Sequence, residues 1–180
     1  KYCNINKIDS FLASSGSYKL EKSNYNLIVK KSLRIEIPNS VDEGWANFKS
    51  KERTQIRKVF KNRFTIEHND KNLLSFYNIY AESMIKKQVS IHSYKLFKNL
   101  FSEFGNNAKL ITIRKNGKIV AGIILIAIRN SVYHPFHACD EFYLKDKLNN
   151  CLIWEAVQHC ILLKASWLYM GEASLNEGVY

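Results

Sequence analysis

A chain of 180 residues, 46% of them hydrophobic and 24% charged, is long enough for one domain with a real core, or for one domain and an added piece. The formal net charge of +11 favours a polyanionic partner, whether nucleic acid, a phosphate-bearing substrate or an anionic membrane surface, and is equally compatible with Lys- and Asn-rich usage spread over solvated faces. No apolar run reaches membrane-spanning length and no secretory signal opens the chain, and the four cysteines (Cys3, Cys139, Cys151, Cys160) show no ligand-like spacing, so a disulfide scaffold and a zinc site are excluded in favour of reduced thiols and a cytoplasmic location.

Residues 1–17 carry weak structural signals and end in a polar Ser-Ser-Gly-Ser stretch. Tyr18–Lys22 and Asn26–Ile37 read as a strand pair turning at Ser23-Asn24-Tyr25, and Leu33, Ile35 and Ile37 alternate with Arg34 and Glu36 until Pro38 stops the run. Residues 1–37 are therefore expected to be an N-terminal extension or the remnant of a preceding domain, and 38–180 the main domain. Ser40 and Glu43 have capping-box spacing and open a short helix that buries Trp45 and Phe48. The next fifteen residues, 49–63, hold seven Lys or Arg against one acid, Glu52. Ile56, Val59 and Phe60 form a thin apolar stripe there, and Arg53 and Arg57 share a face.

Phe64–His68 reads as a short strand. Asp70 is placed to cap a helix from Lys71 to Lys87, with Leu73, Phe76, Tyr77, Tyr80, Met84 and Ile85 at helical spacing. Ser93 caps a second helix, Tyr94–Phe104, closed by Gly105. Three antiparallel strands follow: Ala108–Lys115, Lys118–Arg129 and Val132–Cys139. Asn116-Gly117 is the strongest hairpin signal in the chain, because both residues tolerate positive φ. The middle strand is apolar on both faces, which requires helices on each side of the sheet. Asn149 or Asn150 caps a helix to about Ala165, buried through Leu152, Ile153, Ala156, Val157, Cys160 and Ile161, with Glu155, Gln158 and His159 toward water. Trp167–Met170 is the last strand, and Gly171 ends it. From Phe64 the order is β-α-α-β-β-β-α-β: an α/β fold with a mixed, mostly antiparallel sheet and helices on both faces. The last strand returns through a crossover helix and lies parallel to Val132–Cys139.

This order, with four stretches of sequence, resembles the GNAT fold of acyl-CoA N-acyltransferases, and more specifically the FemAB-like domains and their Fem-type aminoacyltransferase relatives. The stretches are Trp45–Lys58 (WANFKSKERTQIRK), Phe76–Lys87 followed by Ser93-Tyr94, Gly117–Gly122 (GKIVAG), and Leu148–Glu155 (LNNCLIWE) followed by Tyr169-Met170-Gly171 and Asn176–Tyr180. The resemblance covers residues 33 to 180. It implies that the domain is C-terminally incomplete, since the family continues into a helix and two more strands. It implies N-acyl transfer to an amine, with peptidoglycan precursors as an acceptor class. The donor is aminoacyl-tRNA or acyl-CoA rather than a permanently bound cofactor, which makes tRNA a partner. Residues 139–150 before the crossover helix contain no glycine and three acids, which favours the aminoacyl ester over coenzyme A.

Such chemistry needs alignment of amine and carbonyl, donors for a developing oxyanion, and a group to manage a proton. In the fold, the acyl group lies where Val132–Cys139 and Trp167–Met170 splay apart. His137 and His134 are the catalytic candidates. They stand three apart, so a regular strand points them to opposite faces, but Pro135 between them marks an edge or bulge that re-aims one of them. Tyr133, Phe136, Arg53 and Arg57 are substrate-binding candidates, and the resemblance adds Lys87, Tyr94 and Glu172. Cys139 lies on the side of His137 and reads as a buried thiol. A basic nucleic-acid-binding domain using the 53–63 helix, and a non-catalytic scaffold of the same fold, are the competing readings.

Overall fold

The computed structural model describes residues 30–68 and 70–174. The expected strand Tyr18–Lys22 lies outside them. The elements are β1 (Lys30–Glu36), α1 (Val41–Asn47), α2 (Ser50–Lys61), β2 (Thr65–Glu67), α3 (Leu73–Lys86), α4 (Tyr94–Phe104), β3 (Ala108–Lys115), β4 (Lys118–Ile128), β5 (Ser131–Cys139), α5 (Leu148–Leu162) and β6 (Trp167–Ser174). One six-stranded sheet runs in the order β1-β6-β5-β4-β3-β2. All pairs are antiparallel except β5 with β6, which is parallel as the crossover through α5 requires.

β4 divides the interior in two. Its odd-numbered Ile123 and Leu125 enter a core completed by Ile56 and Val59 of α2, Leu152, Ala156 and Val157 of α5, and Leu168 of β6. Its even-numbered Ile124 and Ile126 enter a second core with Phe76 and Tyr80 of α3 and Phe97 of α4. Alternation of side chains along an extended chain splits one apolar run between two helical layers. The Asn116-Gly117 turn has positive φ at both residues, 49° and 77°, matching the twist of the strands it joins.

Several local expectations are corrected. β1 pairs with β6, and Ile37 N–H continues the ladder to the Ser166 carbonyl, so residues just before the boundary at 37 belong to the sheet. Ser40 Oγ caps α1 by accepting from Glu43 N–H, but Glu43 reaches back to Asn39 N–H, one residue beyond the usual capping-box donor. Asp70 does not cap α3. Its carboxylate accepts from Leu110 N–H of β3, and the α3 N-cap is Asn72, whose amide donates to Glu67 and Thr112. α5 begins at Leu148 behind Lys147, which adopts a left-handed φ of 54°, rather than behind an asparagine cap. Trp154 is buried and makes edge contacts with Trp45 and Phe48, while Phe60 and Ile85 are exposed. Gly171 does not end β6. Leu33 pairs with Gly171 and Arg34 with Tyr169, so Met170 is bulged out and Gly171, at φ 103°, lets the strand continue to Ser174.

Gly122 of β4 faces the second core, where an added Cβ would lie 2.6 Å from a ring carbon of Phe76. Phe76 is fully buried and has no free direction in which to yield. Gly122→Ala is therefore expected to destabilise the fold by about 1–3 kcal/mol, read as a lower urea midpoint at unchanged slope.

Candidate active site

β5 pairs with β6 over only three residues, Ser131–Tyr133 against Trp167–Tyr169. Beyond them β6 runs on against β1 alone, to Ser174, and β5 runs on against β4 alone, to Cys139. The second half of β5 thus has a free edge among the described residues. At that point β5 is also bulged: Ile124 pairs with Phe136 and Ile126 with Tyr133, so His134 and Pro135 together oppose Leu125. Proline has no N–H to give a ladder, and a bulge at a free edge accommodates it.

The bulge reverses the expectation for the histidines. His137 pairs with Ile123 and so lies on the α5 side of the sheet. The extra residue returns His134 to that same side, and His134 Nε2 lies 3.0 Å from His137 Nδ1. His134 Nδ1 is buried and has no hydrogen-bond partner. Burial first, and the charge of His137 second, push the pKa of His134 from 6.5 down to about 4. His137 is exposed at its surface, yet enough protein surrounds the ring that burial, with the Lys87 charge second, lowers its pKa too. Both rings are neutral at pH 7.

His137 lines a cavity of about 220 Å³ that wraps the free edge of β5. Its other walls are Ile79, Glu82, Ser83 and Lys86 of α3 and Lys87 just past it, then Ala138, Cys139, Asp140, Glu141, Leu144 and Asn149. Lys86 forms an ion pair of 2.5 Å with Glu141, which ties the end of α3 to the start of a 3-10 helix, Glu141–Asp146. Asp140 caps that short helix by accepting from Phe142 N–H. The Cys139 thiol is pushed up to about 11 by burial and by Asp140 and Asp146, which suits a packed thiol and not a nucleophile. Cys151 and Cys160 are fully buried and pushed up to about 12.

Of the residues singled out from the sequence, the cavity brings together His137 and Lys87, with His134 directly behind His137. The others lie elsewhere. Arg53 Nη1 donates to the carbonyls of Ala46 and Phe48 at 3.0 and 2.8 Å, closing the end of α1, and the Arg57 guanidinium lies over the Trp45 ring. Phe136 is packed among Tyr80, Phe97 and His92 in the second core. Tyr94 packs on Tyr77. Tyr133 stacks on Tyr169 across the last paired position of β5 and β6, with ring centroids 4.7 Å apart. Glu172 pairs through its backbone with Ser32. Sequence reading missed the α3 wall, although Ile79, Glu82, Ser83 and Lys86 repeat at i, i+3, i+4 and i+7 and mark one helix face. No group of three His, Cys, Asp or Glu side chains among the described residues is arranged to hold a metal ion. No helix among them is long and apolar enough to cross a membrane.

Comparison with known proteins adds three findings. The acetyltransferase (GNAT) domain family matches residues 46–176. No curated protein matches the sequence. The fold is similar to the crystal structure of FemX, with a TM-score of 0.73, 11% identity, and coverage of 81% of this chain and 54% of that one. It is also similar to the C-terminal domain of a putative lysylphosphatidylglycerol synthetase from Agrobacterium fabrum (TM-score 0.60, 10% identity, 82% and 48% covered) and to L-PGS from Bacillus licheniformis (0.58, 11%, 86% and 48%). The chain thus spans about half the length of these structures.

Because the folded His134 ring resists protonation, an unfolded chain takes up that proton first as the pH falls. The neutral pair's contribution is complete above about pH 6.5 and is lost toward pH 4, at most about 3 kcal/mol for His134. His134→Gln removes the titration. Urea unfolding at about pH 7 and about pH 4.5 is expected to show a smaller acid loss in the variant than in the parent.

Proposed function

The chain belongs to the acetyltransferase (GNAT) domain family, and on that premise we propose that it transfers an acyl or aminoacyl group from an activated donor to an amine, at the free edge of β5. The observation that carries this reading is the cavity there. It borders the end of β5, beyond the point where the parallel strands part, and it holds a solvent-open imidazole, His137, beside lysines and carboxylates from the end of α3 and the start of the 3-10 helix. An acyl group held in the gap exposes its carbonyl to this cavity, and an amine entering from the α3 side approaches the carbonyl carbon at short range. The N–C bond forms, the bond to the donor's leaving oxygen or sulfur breaks, and the amine gives up a proton.

We favour an aminoacyl ester as donor, with tRNA as its carrier. The stretch before α5 is filled by the Asp140-capped 3-10 helix, carries no glycine, and places Asp146 just ahead of the first free N–H groups of α5. A carboxylate there disfavours the pyrophosphate of coenzyme A. The charge of +11 suits a long polyanion. One structural neighbour is named for making lysylphosphatidylglycerol, an aminoacyl product, and that supports the aminoacyl form of the proposal. An amine on a peptidoglycan precursor is the acceptor we propose, on the strength of the sequence resemblance to Fem-type enzymes. Glu82, Asp140 and Glu141 give the cavity wall the carboxylates that attract a cationic amine.

The test is mass spectrometry of the full chain incubated separately with acetyl-CoA and with charged tRNA, each with a lysine-containing muropeptide. Aminoacylated peptide from the tRNA arm is the expected product. Acetylated peptide alone would overturn the donor assignment, and salt-sensitive RNA binding without any product would favour a binding domain over an enzyme. His137→Ala is expected to lower kcat on the order of a hundredfold.

A further inference from the structure

The facing nitrogens of the two histidines share one proton. At neutral pH each ring carries a single N–H, so one of His134 Nε2 and His137 Nδ1 donates and the other accepts across the 3.0 Å contact. The two arrangements differ in what they leave behind. If His137 Nδ1 donates, the proton of His134 must sit on its Nδ1, which is buried and partnerless. That leaves a buried orphan N–H, which is rare and costly in folded proteins. If His134 Nε2 donates, its Nδ1 is a bare acceptor, which tolerates burial better. His137 Nδ1 is then occupied as acceptor, and the proton of His137 lies on Nε2. No described residue hydrogen-bonds to that nitrogen, and the ring lines the cavity.

We infer that His134 is a positioning residue that fixes His137 as a hydrogen-bond donor through Nε2–H, so that His137 stabilises the oxyanion of the transferred acyl group instead of serving as the base. This rests on the acyl-transfer reading above and assigns the role of its central residue. The base role needs a lone pair on Nε2, and the buried face of His134 opposes that tautomer. In the step so assigned, the amine nitrogen bonds to the acyl carbon, electron density moves to the carbonyl oxygen facing Nε2–H, and the leaving oxygen or sulfur departs as the carbonyl reforms. The amine's proton passes to water and His137 keeps its own. The charged groups on the remaining walls are Lys86, Lys87, Glu82, Asp140 and Glu141. The cation at Lys87 also opposes a second proton on the ring.

Nitrogen-15 long-range NMR of the imidazoles in the full chain reads the tautomer whether or not a donor is known. In the parent, His137 is expected to carry its proton on Nε2. A proton on Nδ1 overturns the inference, and it does so without touching the acyl-transfer reading, which is judged separately by product formation. In His134→Gln, whose amide can donate to the same Nδ1, the Nε2–H tautomer and kcat are expected to persist within about threefold. In His134→Leu, the tautomer is expected to become mixed and kcat to fall on the order of tenfold at unchanged KM. An equal loss in both variants with the tautomer unmoved would show His134 to be merely structural and would overturn its positioning role. An acid limb in kcat that disappears in His137→Gln would restore the base role and overturn the donor assignment.

Discussion

Among the described residues, the ladder that joins β6, and through it β1, to the rest of the sheet is three residue pairs long, Ser131–Tyr133 against Trp167–Tyr169. A longer parallel pairing would cover the edge of β5 that the cavity borders. A shorter one would leave β1 and β6 attached only through α5 and the side chains of one core. Leu168, fully buried between the partners, and the stacked Tyr133 and Tyr169 rings close this short seam from both sides. Past it, β5 cannot satisfy a neighbour, and the chain places a proline there. Pro135 gives up no ladder bond that was available, and the bulge around it turns His134 to the face of His137. The site is thus a consequence of where pairing stops.

The sequence makes the frame legible and the site only partly so, for reasons that can be located. β4 is visible because two-sided burial leaves a continuous apolar run, and its Asn-Gly turn because the required φ values admit few residues. α4 is visible at both ends because Ser93 and Gly105 are the chemical requirements of a helix start and stop. What escapes is set by tertiary partners. Trp154 and Glu155 occupy neighbouring positions on a helix that is buried nearly all round, and nothing in its periodicity says which way each points. Trp154 meets Trp45 from α1, and Glu155 holds His68 from the end of β2. Met170 and Gly171 read as a strand end until β1 is there to continue the ladder. The histidine pair is the sharpest case. Regular alternation separates positions 134 and 137, and one inserted residue, with proline as its only local sign, reunites them.

The positive charge is similarly redistributed by the fold. The run at 49–63 looks like an anion-binding helix in sequence, but Arg53 closes the carbonyl end of α1 and Arg57 covers an indole. A guanidinium whose donors meet backbone carbonyls is engaged with the protein's own peptide groups and is less free to meet a phosphate. Arg114 is likewise committed, with two donors to Glu67 that hold the Glu67 carboxyl below its usual range. Lys86 is committed as well, to Glu141. Lys86 and Lys87 stand at the cavity, where three carboxylates balance them. Net charge is therefore a property of the whole surface, whereas the cavity itself sets two lysines against three carboxylates.

That balance sets the chemistry open to the site. A cavity crowded with uncompensated cations would keep an acceptor amine at a distance, and one crowded with carboxylates would hold it protonated and unreactive. Here three carboxylates stand against two lysines, and the histidine pair, each ring held below its ordinary pKa, adds little charge of its own. Cys139, two residues beyond His137 on the same side of the strand, responds to burial in the opposite sense: its thiol is pushed up to about 11, which disfavours the thiolate, while the imidazole of His137 is pushed down toward its neutral form. One environment, the partly covered end of a free strand edge, thus shifts the thiol and the imidazoles in opposite directions, each toward its neutral form. This arrangement suits direct transfer of an acyl group between two bound substrates rather than transfer through a covalent enzyme intermediate.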